Sequence, residues 1–179
     1  NTNAICWTRE LIGDFSEIVD KIEIKENIIT IKLEQLQELE LSEQGKIARE
    51  IILNDMKLLE AHGSSPILNV IKNYERDDDN PFFPTDVYSF HVDQSPIPCD
   101  TFLCTYYGES SEILPNEQGE KKVHIPEIRA EIKRRFEGTE EEFETFLSDH
   151  FLNLHYKAKP GAEPIKLGVG NLWRLATDN

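Results

Sequence analysis

An α+β fold is predicted by three features of the 179-residue sequence: helical apolar periodicity concentrated in residues 1–65, short β-branched and aromatic runs over 66–179, and a pair of capped helices inserted among those runs at about 126–151. At this length the natural count is one domain, spanning 1–179. A hydrophobic fraction of 39 % supplies a core, so disorder is excluded as the general state of the chain.

Each element has a local signature. From Thr8, TRELIGDFSEIVDKI sets Leu11, Phe15, Ile18, Val19 and Ile22 at spacings of three and four, one apolar stripe on a helix. The β-branched run Asn27 to Leu33 reads as a strand, while residues 34–41 have mixed periodicity and their type stays open. Ser42 is an N-cap before a helix carrying Ile47, Ile51, Met56, Leu58 and Leu59, and Gly63 stands where a C′ glycine ends it. Pro66 to Tyr74 reads as a strand. The segment ERDDDNPFFPTD, with its prolines and the acids Asp77, Asp78 and Asp79, reads as a solvated loop, since it lacks the alternate spacing and glycine of a calcium loop.

Two aromatic-rich runs, VYSFHVD and DTFLCTYY, flank QSPIPC and predict a pair of strands between Val87 and Tyr107. Pro126 at N1 opens a helix closed by Gly138, and Thr139 to Glu142 forms a capping box leading into Phe143, Phe146, Leu147 and Phe151. After KPGAEP, the run IKLGVGNLWRLAT predicts a last strand.

Charge narrows the partners. With 19 Lys+Arg against 34 Asp+Glu the net charge is −15, which argues against nucleic acid, whose binding is carried by cations that neutralise phosphates, and against an anionic membrane surface. No run approaches the roughly 18 apolar residues of a bilayer-spanning helix, and the first residues lack a basic region followed by an apolar one, so a cytoplasmic protein is expected. Cys6, Cys99 and Cys104 are odd in number and show no CxxC spacing, so free thiols are expected. No P-loop, GxGxxG, GxSxG or HExxH is present.

The most informative residues are His91 and Asp93. In a strand, side chains at i and i+2 share a face, so an imidazole and a carboxylate emerge together and can take adjacent positions on one metal ion. A 2-His-1-carboxylate triad on non-haem Fe(II) needs such a pair and one distant histidine. The same triplet also makes an ordinary surface hydrogen bond, and both readings stand at this point. Of the remaining histidines, His62 suits the helix-terminal carbonyls and His124 an exposed connection, while His155 is the better of His150 and His155 for a third ligand that folds back. Arg174 either presents its guanidinium to a carboxylate cosubstrate or pairs with one of the many acids.

Phe90-His91-Val92-Asp93, then Phe102 to Gly108 (FLCTYYG), then Glu112-Ile113-Leu114-Pro115 resembles the signature of an uncharacterised bacterial domain-of-unknown-function family with FHxD, CTYxG and a glutamate-containing tail in that order. More distantly, the layout is similar to the prolyl-hydroxylase-like branch of the Fe(II)/2-oxoglutarate-dependent oxygenases. Gly108 to Glu112 stands at the turn that comes after their HxD strand, and Ile165 to Leu175 resembles a later strand. The resemblance covers roughly Leu53 to the end. It implies a double-stranded β-helix, cupin-like or jelly-roll, as the core, with His91 and Asp93 as iron ligands and Tyr106 bonding the carboxylate of 2-oxoglutarate. The implied activity is hydroxylation of an unknown small molecule or peptide.

The chain departs from that pattern where the distal histidine and the basic cosubstrate anchor come after the later strand, because neither occurs before Asn179. The expected β-helix is therefore incomplete, or the site is completed differently. The competing expectation is a non-catalytic cupin-like module that binds metal or ligand without a full triad, with a zinc- or nickel-binding cupin as a third.

Overall fold

The computed structural model describes residues 2–77 and 82–178, so Asp78 and Asp79 of the acidic loop lie outside the described residues. Strand β1 (Ala4–Trp7) has no local signal strong enough to be read alone. It exists because β10 (Leu172–Ala176) offers it an antiparallel partner, Ala4 opposite Leu175 and Trp7 opposite Leu172. Gly13 then sets where the first helix starts. Its φ is +97°, and a Cβ there would stand 2.6 Å from the backbone nitrogen of Ala48, so glycine alone lets this turn lie against the neighbouring helix. Asp14 is the N-cap of that first helix, accepting from the Glu17 N–H at 3.1 Å. Helix α1 is Phe15–Asp20, shorter than the periodicity from Thr8 predicts.

Strand β2 (Ile28–Ile31) pairs antiparallel with β3 (Leu68–Ile71), and between them lie α2 (Leu33–Glu38), which resolves the open segment, and α3 (Glu43–Ala61). Ser42 caps α3 as expected, accepting from the Gly45 N–H at 3.1 Å, and Gly63 leaves it at φ +83°. These elements bury Phe15, Ile18, Ile31, Leu36, Ala48, Ile52, Leu53 and Met56 as one core.

The second part holds β4 (Phe90–His91), β5 (Asp100–Cys104), β6 (Glu112–Ile113), β7 (Gly119–Lys121), α4 (Pro126–Arg135), α5 (Glu140–Asp149), β8 (His155–Ala158) and β9 (Ile165–Lys166). The capping box of Thr139 and Glu142 forms as predicted. Helix α5 ends at Asp149, short of the Phe151 to which its apolar stripe runs in the sequence, and the strand β8 beyond it has no counterpart in the sequence reading. A separate core of Phe83, Val123, Ile132, Phe143, Leu147 and Leu152 lies under α4 and α5.

Sheet pairing is nested and antiparallel: β7 pairs with β8, β6 with β9, and β5 with β10, while β4 lies on the free edge of β8 and β1 on that of β10. The described strands thus form sheets of two and three strands. Two facing four-stranded sheets, the mark of a double-stranded β-helix, are not assembled among them. The fold is α+β with small antiparallel sheets. No helix among the described residues is long and apolar enough to cross a membrane.

One buried polar cluster joins the helical part to the strands. Asp55 of α3 is 8 % exposed and receives the Arg9 guanidinium in a two-pronged pair, with Nη1 to Oδ1 at 2.7 Å and Nη2 on Oδ2. Arg9 Nε donates to the Gly170 carbonyl at 2.6 Å, and the Tyr106 hydroxyl donates to Asp55 Oδ2 at 2.7 Å while its ring stacks on Phe15 at 5.7 Å. The carboxylate holds the guanidinium firmly protonated; burial and the neighbouring negative charge push the Tyr106 phenol far above its ordinary range. Asp55→Ala leaves the part-buried Arg9 guanidinium without its carboxylate and is expected to lower unfolding free energy by about 2 kcal/mol, and Tyr106→Phe, which removes one hydrogen bond to Asp55, by about 1 kcal/mol, in urea titrations followed by circular dichroism.

Candidate functional site

His91 and His155 are direct cross-strand partners of β4 and β8. Residues opposite one another in an antiparallel pair share a face, and their ring centroids stand 5.6 Å apart. Asp93, two residues beyond His91, turns back so that Oδ1 lies 3.4 Å from His91 Nε2, and its other oxygen accepts from the Thr101 hydroxyl at 3.0 Å. The structure therefore brings His91, Asp93 and His155 together at one open cleft of about 550 Å³.

Ser89 orients both imidazoles. Its backbone carbonyl accepts from His91 Nδ1–H at 2.7 Å, which leaves Nε2 of the neutral ring as the lone-pair nitrogen beside Asp93. Its hydroxyl lies 3.0 Å from His155 Nδ1 and accepts from the Lys122 ammonium at 2.7 Å. Lys122 also donates to the Pro84 carbonyl at 3.0 Å and lies 5.1 Å from the Phe83 ring centroid, whose edge meets His155.

These surroundings separate the two histidines electrostatically. The Asp93 carboxylate raises the pKa of His91, and His91 in turn lowers that of Asp93. His155 is 6 % exposed; burial, followed by the positive charges of Lys122 and His91, pushes its pKa down to about 4. Burial lowers the pKa of Lys122 as well. At neutral pH His155 is thus an uncharged ring able to offer a lone pair.

Two imidazoles and a carboxylate are donor types that divalent transition metals accept. At metal–ligand distances of about 2.1 Å, two donors on one ion stand about 3.0–3.4 Å apart and two imidazole centroids about 4.6–5.3 Å. The His91–Asp93 separation of 3.4 Å falls in that range, and the His91–His155 centroid distance of 5.6 Å is a few tenths of an ångström wider. Among the described residues no three His, Cys, Asp or Glu side chains are already gathered as a metal-holding group.

Tyr106 and Arg174, the expected anchors for 2-oxoglutarate, do not line this cleft. Tyr106 is committed to Asp55 under α3. Arg174 pairs with Asp100 at 2.6 Å, and the β5–β10 register places both on the face of the sheet opposite Thr101, the residue that touches Asp93. The ion-pair alternative for Arg174 is the one observed. Sequence reasoning missed Ser89 and Lys122 altogether; no residue-type signal marks a serine whose role comes from where two strands meet. For β8 a signal existed, because Leu152, Leu154, Tyr156 and Ala158 alternate with polar residues at the period of a strand.

No family model matches the chain, and neither a curated protein nor a solved structure is significantly similar to it.

The split between the histidines is visible in solution. In metal-free protein, one histidine ring followed by NMR titrates above the ordinary 6.5 and disappears from the titration in His91→Gln, while the His155 ring stays neutral until about pH 4. The signs for stability are opposite. Holding His155 neutral contributes stability that is present above 6.5 and lost as pH falls toward 4, whereas the His91–Asp93 contact contributes stability present below 6.5 and lost as pH rises through the folded-state value. Ser89→Ala removes the hydroxyl shared by His155 and Lys122, with an expected loss of about 1–3 kcal/mol in urea unfolding.

Proposed function

We propose that His91, Asp93 and His155 hold one divalent transition-metal ion and that the protein is an Fe(II)-dependent oxygenase-like protein of the 2-oxoglutarate type, acting on a small molecule or peptide. The observation that carries this reading is the pairing of His91 with His155 across β4 and β8, with Asp93 Oδ1 at 3.4 Å from the nitrogen that His91 leaves free. Two nitrogens and one oxygen on one side of an ion leave its other positions to the open cleft, which is the arrangement that ferrous oxygen chemistry uses. When bound, the iron and its cosubstrate supply the redox step.

The chain's own share is positional. The Ser89 carbonyl fixes the His91 tautomer, the Thr101 hydroxyl steadies Asp93, and burial against Phe83 keeps His155 uncharged. The nested pairs β7·β8, β6·β9 and β5·β10 are the pairing from which a double-stranded β-helix is wrapped, and they support that finer fold as part of the proposal. Three unpaired cysteines agree with a reducing, cytoplasmic setting.

A second reading, a non-catalytic cupin-like module that binds metal or ligand, is favoured by one observation: the side chains of Tyr106 and Arg174 are spent on Asp55 and Asp100, so neither is left to anchor a cosubstrate carboxylate.

Calorimetric titration of anaerobic protein with Fe(II), and with Ni(II) as a redox-silent substitute, is expected to give one site per chain. Because even an outer-shell partner changes metal affinity about 10–100-fold, His91→Ala and Asp93→Ala should each lose at least about 100-fold with unchanged circular dichroism. Wild-type affinity in both variants would overturn the site. Oxygen uptake that requires Fe(II) and 2-oxoglutarate together supports the oxygenase; tight metal binding without it supports the module.

A further inference from the structure

The residue that follows α5 is in the wrong backbone for its side chain. Phe151 sits just past the C-cap His150 at φ 57° and ψ 15°, the left-handed conformation in which a helix ends most easily on glycine. Among the described residues it is the one non-glycine residue with positive φ. The turn is a regular helix exit in every other respect, with Phe151 N–H donating to the Ser148 carbonyl at 2.9 Å and the Leu154 N–H to the Phe151 carbonyl at 3.0 Å. Nothing in that turn calls for a large side chain.

Packing covers only about half of the side chain. Leu152 and Leu154 are buried, yet Phe151 between α5 and β8 is 51 % exposed, and among the described residues its ring stacks on no other aromatic ring. A strained backbone and a half-exposed aromatic ring therefore meet at one position, and of the two the backbone is the unusual one. That position lines the cleft that holds His91, Asp93 and His155, where Val92, Pro96 and Leu154 add further apolar surface.

We propose that Phe151 is the apolar wall of a binding site for a small molecule carrying an aromatic or branched aliphatic group, seated against Val92, Pro96 and Leu154 with its reactive or polar end toward His91 and His155. As the substrate class of the centre proposed above, this rests on the metal reading; as a binding site it stands without metal. The half-exposed ring supplies contact area that an occupant would cover, and an aromatic guest gains ring–ring contact beyond that area.

Ring-proton NMR of His91 and His155 in metal-free protein, titrated with indole and in parallel with glycerol, tests it. Indole is expected to shift both rings saturably and glycerol to leave them in place. In Phe151→Gly the indole affinity should fall about ten-fold or more while Tm rises by about 2–4 °C, because glycine relieves the backbone; Phe151→Leu, which keeps an apolar wall, should stay within about three-fold. Equal indole affinity in Phe151→Gly, an equal response to glycerol, or a fall in Tm as for a packed core residue would each overturn the proposal. The same samples titrated with Ni(II) separate the two readings: metal uptake without any indole response removes this one alone, and an indole response without metal uptake removes only the metal.

Discussion

A single carboxylate on the inner side of α3 ties the two halves of the molecule together. Asp55 is shut away from bulk water, so its charge must be met by protein; Arg9 and Tyr106 donate to it, and the Gly170 carbonyl holds the guanidinium in place by accepting from Arg9 Nε. Those groups come from the segment after β1, the segment after β5 and the turn before β10. Placing them fixes where the three-stranded sheet lies against the helical core. A Cβ on Gly170, itself at φ +85°, would meet the Leu11 side chain at 2.8 Å and the Arg9 carbonyl oxygen at 3.2 Å, so a residue with a side chain would push these segments apart. The registers of β5 and β10 inherit that placement, and with them the position of Thr101 beside Asp93.

The cleft depends on a sharing of groups. One serine, through its carbonyl and its hydroxyl, meets the Nδ1 atoms of two histidines that come from strands far apart in the chain. Their environments pull in opposite directions, one ring beside a carboxylate and half open to water, the other against Phe83 with a cation behind it. A pair of neighbouring imidazoles would ordinarily repel once both carried charge. Burial of His155 prevents that by keeping one of them neutral. The result is a lone-pair donor and a carboxylate-backed donor side by side, in a cleft that Val92, Pro96, Phe151 and Leu154 also line.

How much of this is legible in the sequence depends on the range of the interactions. The caps of Ser42 and Thr139, Pro126 at a helix start and the glycine exit at Gly63 act within one turn, and each element they bound can be read directly. The first helix reads too long because the stripe from Leu11 to Ile22 is real, while the turn at Gly13 answers to Ala48, far along the chain. Strands β1 and β8 owe their existence to partners supplied by distant sequence. In the same way, His91 and Asp93 declare their shared face by spacing alone, whereas their neighbour His155 is set by the β4–β8 register, and Tyr106 and Arg174 are claimed by acids that no local pattern identifies.

The outermost pairing carries a consequence for how the chain is made. Strand β1 leaves the ribosome long before its ladder partner β10; the neighbouring contact between Arg9 and Asn171 spans 162 positions. At about 5–20 residues per second, that edge waits roughly 8–30 s without a mate. Throughout that interval an apolar tetrapeptide, AICW, is open to adventitious β-pairing that the finished molecule forecloses by closing the ladder.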